Sequence, residues 1–194
     1  IAVFAIFMIV GSGFINSVDT TKTQSNDNGK FQMSLLSDNT SPILGSKDAP
    51  ITMVEFGDYQ CFYCNQFYHA TEPTIVKNYV DTGKVKLVFK DLTIIGQDSI
   101  NAAHATHCAQ EKGKFWEYHD TLYNKGWASS KNLLAFATKV NITASDFNAC
   151  MTDARYISIV KGSVSDARIL GLTGTPDFFI IGPDNSVTKI VGAQ

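Results

Sequence analysis

Hydrophobic side chains crowd the start of this chain, where Ile1 to Ile15 reads IAVFAIFMIVGSGFI and Ser12 is the single polar side chain. A run of this length falls short of the ~20 apolar residues that cross a bilayer. The chain opens on Ile rather than Met, so the expectation is a signal peptide or membrane anchor over 1–15 whose basic upstream start is missing. Either form sends the rest of the chain across a membrane, with this segment as the membrane contact. From Asn16 to Ser41 the pattern turns to Asn, Asp, Ser, Thr, Gln and Lys with no sustained apolar period. That reads as a polar tether, placed over 16–42.

Beyond the tether the periodicity changes several times. Ile51 to Phe56 has the length and branching of a buried strand. Phe67, Ile75, Val76, Tyr79 and Val80 recur at helical spacing, predicting a helix from Cys61 to about Thr82 that Pro73 should kink. Gly83 stands where a helix ends, and Lys84 to Lys90 reads as a second strand, so the first three elements make a parallel crossover. From about 97 to 170 the pattern is helical, with Ser99 to Lys112, Phe115 to Asn124 and Lys131 to Val140 as separate pieces. Thr143 with Asp146 resembles a capping box opening a helix through Met151, and Gly171 can end the next helix. Strands return at Asp177 to Ile181 and Val187 to Val191, with a turn between them at Gly182 to Asn185.

Composition adds mainly exclusions. A net charge of −2, with 44% hydrophobic and 18% charged residues, offers no field for nucleic acid. Four cysteines fit an exported protein in an oxidising compartment. The sequons at Asn39 and Asn141 are compatible with that compartment and add little to it.

The chemistry concentrates at Cys61-Phe62-Tyr63-Cys64, between a predicted strand and the helix after it. Residues one turn apart at a helix start share a face, within disulfide reach. Cys61 meets the unpaired N–H groups and positive dipole end of that helix, which favour a thiolate, so it is the expected attacking sulfur. Cys64, one turn in, is expected to be buried and to resolve the mixed disulfide. A plain structural disulfide and half of a zinc site are the competing readings, and zinc lacks a second close ligand pair. Cys108 and Cys150 fall on predicted helices and are expected to form a structural disulfide, with two buried free thiols as the alternative. His104, His107 and Cys108 have metal-like spacing, and His119 lies nearby, yet helical histidines are more often packed than ligating. No metal and no cofactor are expected.

Four stretches carry a resemblance: EFGDYQCFYC (Glu55 to Cys64), KVKLVFKDL (Lys84 to Leu92), AAHATHCAQEKGKFWEYHDTLY (Ala102 to Tyr123) and GTPDFFI (Gly174 to Ile180). In this order and spacing the chain resembles the DsbA-like branch of the thioredoxin superfamily. The resemblance implies an α/β fold, a thioredoxin fold over 43–194 with an inserted all-helical subdomain at about 97–170. It implies that Pro176 is a cis-proline facing the active pair, and that the Thr175 backbone holds an extended substrate. Phe62 and Tyr63 join them as substrate contacts. Strand alternation points Glu55 inward, and the resemblance makes it a buried acid beneath Cys64 that moves the resolving proton, with Lys90 as the partner of its charge. The chain departs from the family at Phe62 and Tyr63, where Pro and often His stand, and it stops at Gln194, where the family continues into a final helix.

The expected function is an extracytoplasmic thiol-disulfide oxidoreductase that oxidises or shuffles disulfides in exported cysteine-containing proteins. Oxidation is the default direction, with a membrane-bound reoxidant and a monomeric enzyme. The alternatives are a copper-handling protein that holds Cu(I) on the reduced pair, and a noncatalytic peptide-binding module.

Overall fold

Five strands make one mixed sheet in the computed structural model, which describes residues 33–36, 38, 40–125 and 131–194. The apolar segment 1–15, the tether up to 32 and the sequon at Asn39 lie outside the described residues. Among the described residues no helix is long and apolar enough to cross a membrane.

Strand β2 (Ile51–Gly57) is central, parallel to β3 (Val85–Asp91) and antiparallel to β4 (Asp177–Ile181). The short β1 (Ile43–Leu44) flanks β3, and β5 (Val187–Val191) flanks β4, giving the order β1-β3-β2-β4-β5. The connection from β2 to β3 runs through α1 (Phe62–Ala70), α2 (Glu72–Ile75) and a π-helical turn at Val76–Val80. The single helix expected over 61–82 is therefore broken. Thr71 closes α1 and precedes α2, and Pro73 sits in the first turn of α2, where its missing N–H costs nothing.

Between β3 and β4 lie α3 (Gln97–Glu111), α4 (Phe115–Asn124), α5 (Leu133–Lys139), α6 (Ala144–Met151) and α7 (Ala154–Ile169). The Thr143 hydroxyl oxygen accepts from the Asp146 N–H at 3.1 Å, opening α6 as the capping pattern predicts. Gly171, at φ +68°, ends α7 in a left-handed conformation that side chains rarely adopt. A disulfide joins Cys108 on α3 to Cys150 on α6 with Cα atoms 5.7 Å apart.

One face of the sheet packs Met53, Leu87 and Phe178 against Phe67 and Val80 of the α1-to-β3 connection. The other face packs Val54, Phe56, Val88 and Phe179 against Ala167, Leu172 and Leu36. Leu36 corrects the tether boundary of 42. Residues 33–36 are helical, and Leu35 and Leu36 are 7% and 1% exposed, because an apolar pair inside the polar stretch docks on the sheet. A third cluster joins Tyr59, Cys61, Cys64 and Phe89 to the helices around Tyr118, Leu133 and Phe147. The cysteine pair thus sits at the seam between sheet and helical lobe.

Candidate active site

The loop after β2 is shaped by Asp58. Its carbonyl accepts the Cys61 N–H at 2.9 Å, and its Oδ1 accepts the Gln60 N–H at 2.8 Å. Its Oδ2 accepts the N–H groups of Ile94 and Ile95 at 3.0 and 3.3 Å, tying the loop after β3 to the loop that carries Cys61. Gly57 is the other fixed point. A Cβ there would stand 2.6 Å from the Phe89 ring and 3.2 Å from Glu55 Oε1. Sequence alone marks neither residue as functional, although an acid and a glycine just before a C-x-x-C are a readable turn signal.

Cys61 is the N-cap of α1, with φ −80° and ψ 123°. Its sulfur accepts the Cys64 N–H at 3.4 Å. From the other side it lies 3.2 Å from the carbonyl oxygen of Thr175, and the Thr175–Pro176 peptide bond is cis. Hydrogen bonding from the Cys64 side chain, helped by the Thr175 side chain and the backbone N–H groups at Cys64 and Tyr63, outweighs burial and lowers the Cys61 thiol to about 6. Cys64 goes the other way. It is fully buried, and desolvation, its bond to Cys61 and the nearby charge of Glu55 push its thiol far above the ordinary range. The two sulfurs, free of any disulfide here, are thus chemically unequal.

Glu55 is 2% exposed. In register it lies between Phe89 on β3 and Phe178 on β4, so apolar rings flank it on its own face of the sheet. Burial, then the charges of Glu72 and Cys61, raise its carboxyl well above the ordinary range, and Oε2 has no partner among the described residues. Lys90 is not its partner. It pairs in register with Phe56 and points to the opposite face, where its ammonium donates to Asp38 and Asp166 at 2.8 Å each and to the Leu35 carbonyl at 2.9 Å. Alternation on a strand forbids Glu55 and Lys90 from sharing a face, since their paired positions differ by one residue. The correction turns Lys90 from a site residue into a clamp that holds the segment before β1.

Phe62 and Tyr63 are 62% and 59% exposed beside the cysteines, and Ile94 and Ile95 add apolar surface across the Asp58 bridge. The histidines have other work. His107 bonds Asp91 at 2.7 Å and Gln110 at 2.9 Å, and His119 bonds the Tyr59 hydroxyl at 3.0 Å. His104 does approach Cys108 and Cys150, but the disulfide ties up both sulfurs, which cannot act as thiolate ligands while it is closed.

A family model described as thioredoxin matches residues 37–186. Among curated proteins the chain is similar to "Na(+)/H(+) antiporter NhaA 1" of Salinispora arenicola, 31% identical over 143 residues, which is 72% of this chain and 21% of that protein. It is also similar to "Disulfide bond formation protein D" of Bacillus subtilis, 40% identical over 86 residues, or 43% of this chain and 39% of that protein. The chain therefore spans a fifth to two-fifths of the length of these relatives. Among solved structures, oxidised BdbD from Bacillus subtilis superposes with a TM-score of 0.70 at 26% identity, covering 87% of this chain and 89% of that one.

Proposed function

The chain belongs to the thioredoxin family, in its DsbA-like form, and from that premise we propose that it is an extracytoplasmic thiol-disulfide oxidoreductase acting on exported cysteine-containing proteins. The observation that carries the reading is the inequality of the two sulfurs. Cys61 caps a helix N-terminus in front of Thr175 with its thiol lowered, while Cys64 is sealed behind it with its thiol raised.

In the oxidising direction a substrate thiolate attacks Cys61 Sγ of the enzyme disulfide. The S–S bond breaks, and its electron pair leaves on Cys64, which takes a proton from Glu55. A second substrate thiolate then attacks the substrate sulfur of the mixed disulfide, forming the substrate disulfide and releasing Cys61 as thiolate. Two electrons end on the enzyme, and a membrane-bound oxidant removes them to restore the disulfide. The Thr175 backbone pairs with an extended substrate strand, and exposed Phe62 and Tyr63 supply apolar contact with little demand on sequence. The apolar segment at 1–15, as signal peptide or membrane anchor, sends the enzyme to the extracytoplasmic side, where it acts as a monomer.

Mixing the oxidised protein with a dithiol peptide tests the reading. One peptide disulfide per protein should form, and Cys61→Ser should abolish it. A wild-type protein that leaves the peptide reduced over hours defeats the proposal.

A further inference from the structure

Glu72 stands in the first turn of α2, only 6% exposed. It lines an open cleft of about 630 Å³ together with Tyr68, His69 and Asp120. Deeper in, three polar atoms are buried without partners among the described residues: Glu55 Oε2, the Tyr123 hydroxyl and His119 Nε2. So many orphans in one small region are unusual for a protein interior. Tyr123 links them to the cleft. Its ring stacks on cleft-lining Tyr68 at 5.0 Å and packs on His119 at 4.9 Å and Tyr59 at 5.1 Å.

The chemistry needs such a route. Cys64 and Glu55 are 0% and 2% exposed, and a substrate seated on Cys61, Phe62 and Tyr63 closes the front of the site. A proton leaving Cys64 must find solvent elsewhere.

We infer that Glu72 is the proton port of the cysteine pair, passing protons between the cleft and Glu55 while substrate covers the front. The inference rests on the oxidoreductase reading. When the enzyme disulfide opens, the electron pair goes to Cys64 Sγ, Glu55 gives that sulfur its proton, Glu72 reprotonates Glu55 by way of water, and water in the cleft reprotonates Glu72. Reoxidation runs the same transfers backward.

The charges suit the task. Lining the cleft with Glu72 are Tyr68 and His69 from α1, Lys77 of the π turn with Asp81 just after it, and Asp120 on α4, and the charge of Glu72 is felt at Glu55 on β2. Burial, then the charge of Asp120, raises the Glu72 carboxyl to about 8. That brings it toward the raised carboxyl of Glu55, as transfer between them requires.

The reduced full-length protein mixed with dithiobis(nitrobenzoate) reads both sulfurs: the first nitrothiobenzoate released reports Cys61, and the second reports Cys64 displacing it. Glu72→Gln should leave the first release within about twofold and slow the second about tenfold, removing its rise near pH 8. Glu72→Asp should restore most of the rate. Asp120→Asn, on the exposed side of the cleft, should move the inflection of the second release to lower pH without slowing its plateau. A Glu72→Gln second release within twofold of wild type, with the same inflection, overturns the inference. Should that variant fail to fold, an unmoved inflection in Asp120→Asn overturns it equally. A wild-type protein that releases only one equivalent defeats the dithiol reading and the inference together, so the two failures are distinguishable.

Discussion

Cys61 Sγ lies 3.2 Å from the carbonyl oxygen of Thr175, a residue 114 positions away in sequence. The contact puts the end of the β2 loop against the start of β4, so the attacking sulfur and the backbone proposed to hold a substrate are fixed by one sheet. The Cys64 N–H occupies the other side of that sulfur.

The thiol of Cys61, lowered to about 6, should be about nine-tenths ionised at pH 7. Ultraviolet absorbance of the thiolate should show one inflection near pH 6, absent in Cys61→Ser. An unfolded thiol keeps its proton up to about pH 8.5, so between the two values the unfolded state holds more protons than the folded one. The stability of the reduced protein should therefore rise with pH across that window. The same preference for the thiolate makes the disulfide more oxidising than one formed from ordinary thiols.

Glu55→Gln should slow the Cys64 step by about 100-fold and leave the Cys61 inflection near its place. Its stability effect has the opposite sign to a usual carboxylate. The raised carboxyl keeps its proton when folded and loses it when unfolded, so wild-type stability falls as pH rises above the ordinary Glu value. Chemical denaturation should find Glu55→Gln and wild type similar at pH 4 and the variant ahead at pH 8. The gap should grow by up to about 1.4 kcal/mol per pH unit.

Lys90→Met should destabilise the fold without touching the redox step. The Lys90 side chain is fully buried, with Asp38 and Asp166 partly exposed, so removing it strands two carboxylates at a cost of about 2–4 kcal/mol. Burial alone would raise Asp38, but the hydrogen bonds from Lys90 and Thr40 and the charge of Lys90 hold it well below the ordinary range. That contribution is present above about pH 4 and lost in acid as the folded carboxylate protonates. A lowered denaturation midpoint with unchanged nitrothiobenzoate release would locate Lys90 in the scaffold.

Cys108→Ala with Cys150→Ala should lower stability by up to about 4 kcal/mol in the chain-entropy account of a closed loop of this size. Calorimetry should show the loss, while dithiol peptide oxidation stays within about twofold.

Strand alternation, the helix start at Cys61 and the Thr143 cap were legible because each depends on residues within one or two turns. Lys90 misleads for a reason of the same kind. Its place near the end of the strand beside Glu55 makes it the charge partner the resemblance implies, while the register pairs Lys90 with Phe56 and puts it on the far face. The docking of Leu36 and the ion pair to Asp38 were hidden inside a polar stretch, because two leucines give no period. Asp58 and Gly57 escape a reading of sequence because their work is done against the loop after β3 and the Phe89 ring, contacts that only the folded chain creates.

The division of labour between the sulfurs is tested most directly by trapping. Cys64→Ser and Cys61→Ser variants are mixed with a peptide disulfide, and the products are read by intact mass before and after reductant. Cys64→Ser should accumulate a mixed disulfide on Cys61 at a rate that rises through pH 6, and Cys61→Ser should accumulate almost none. A mixed disulfide forming on Cys64 in the Cys61→Ser variant at a comparable rate would contradict the account.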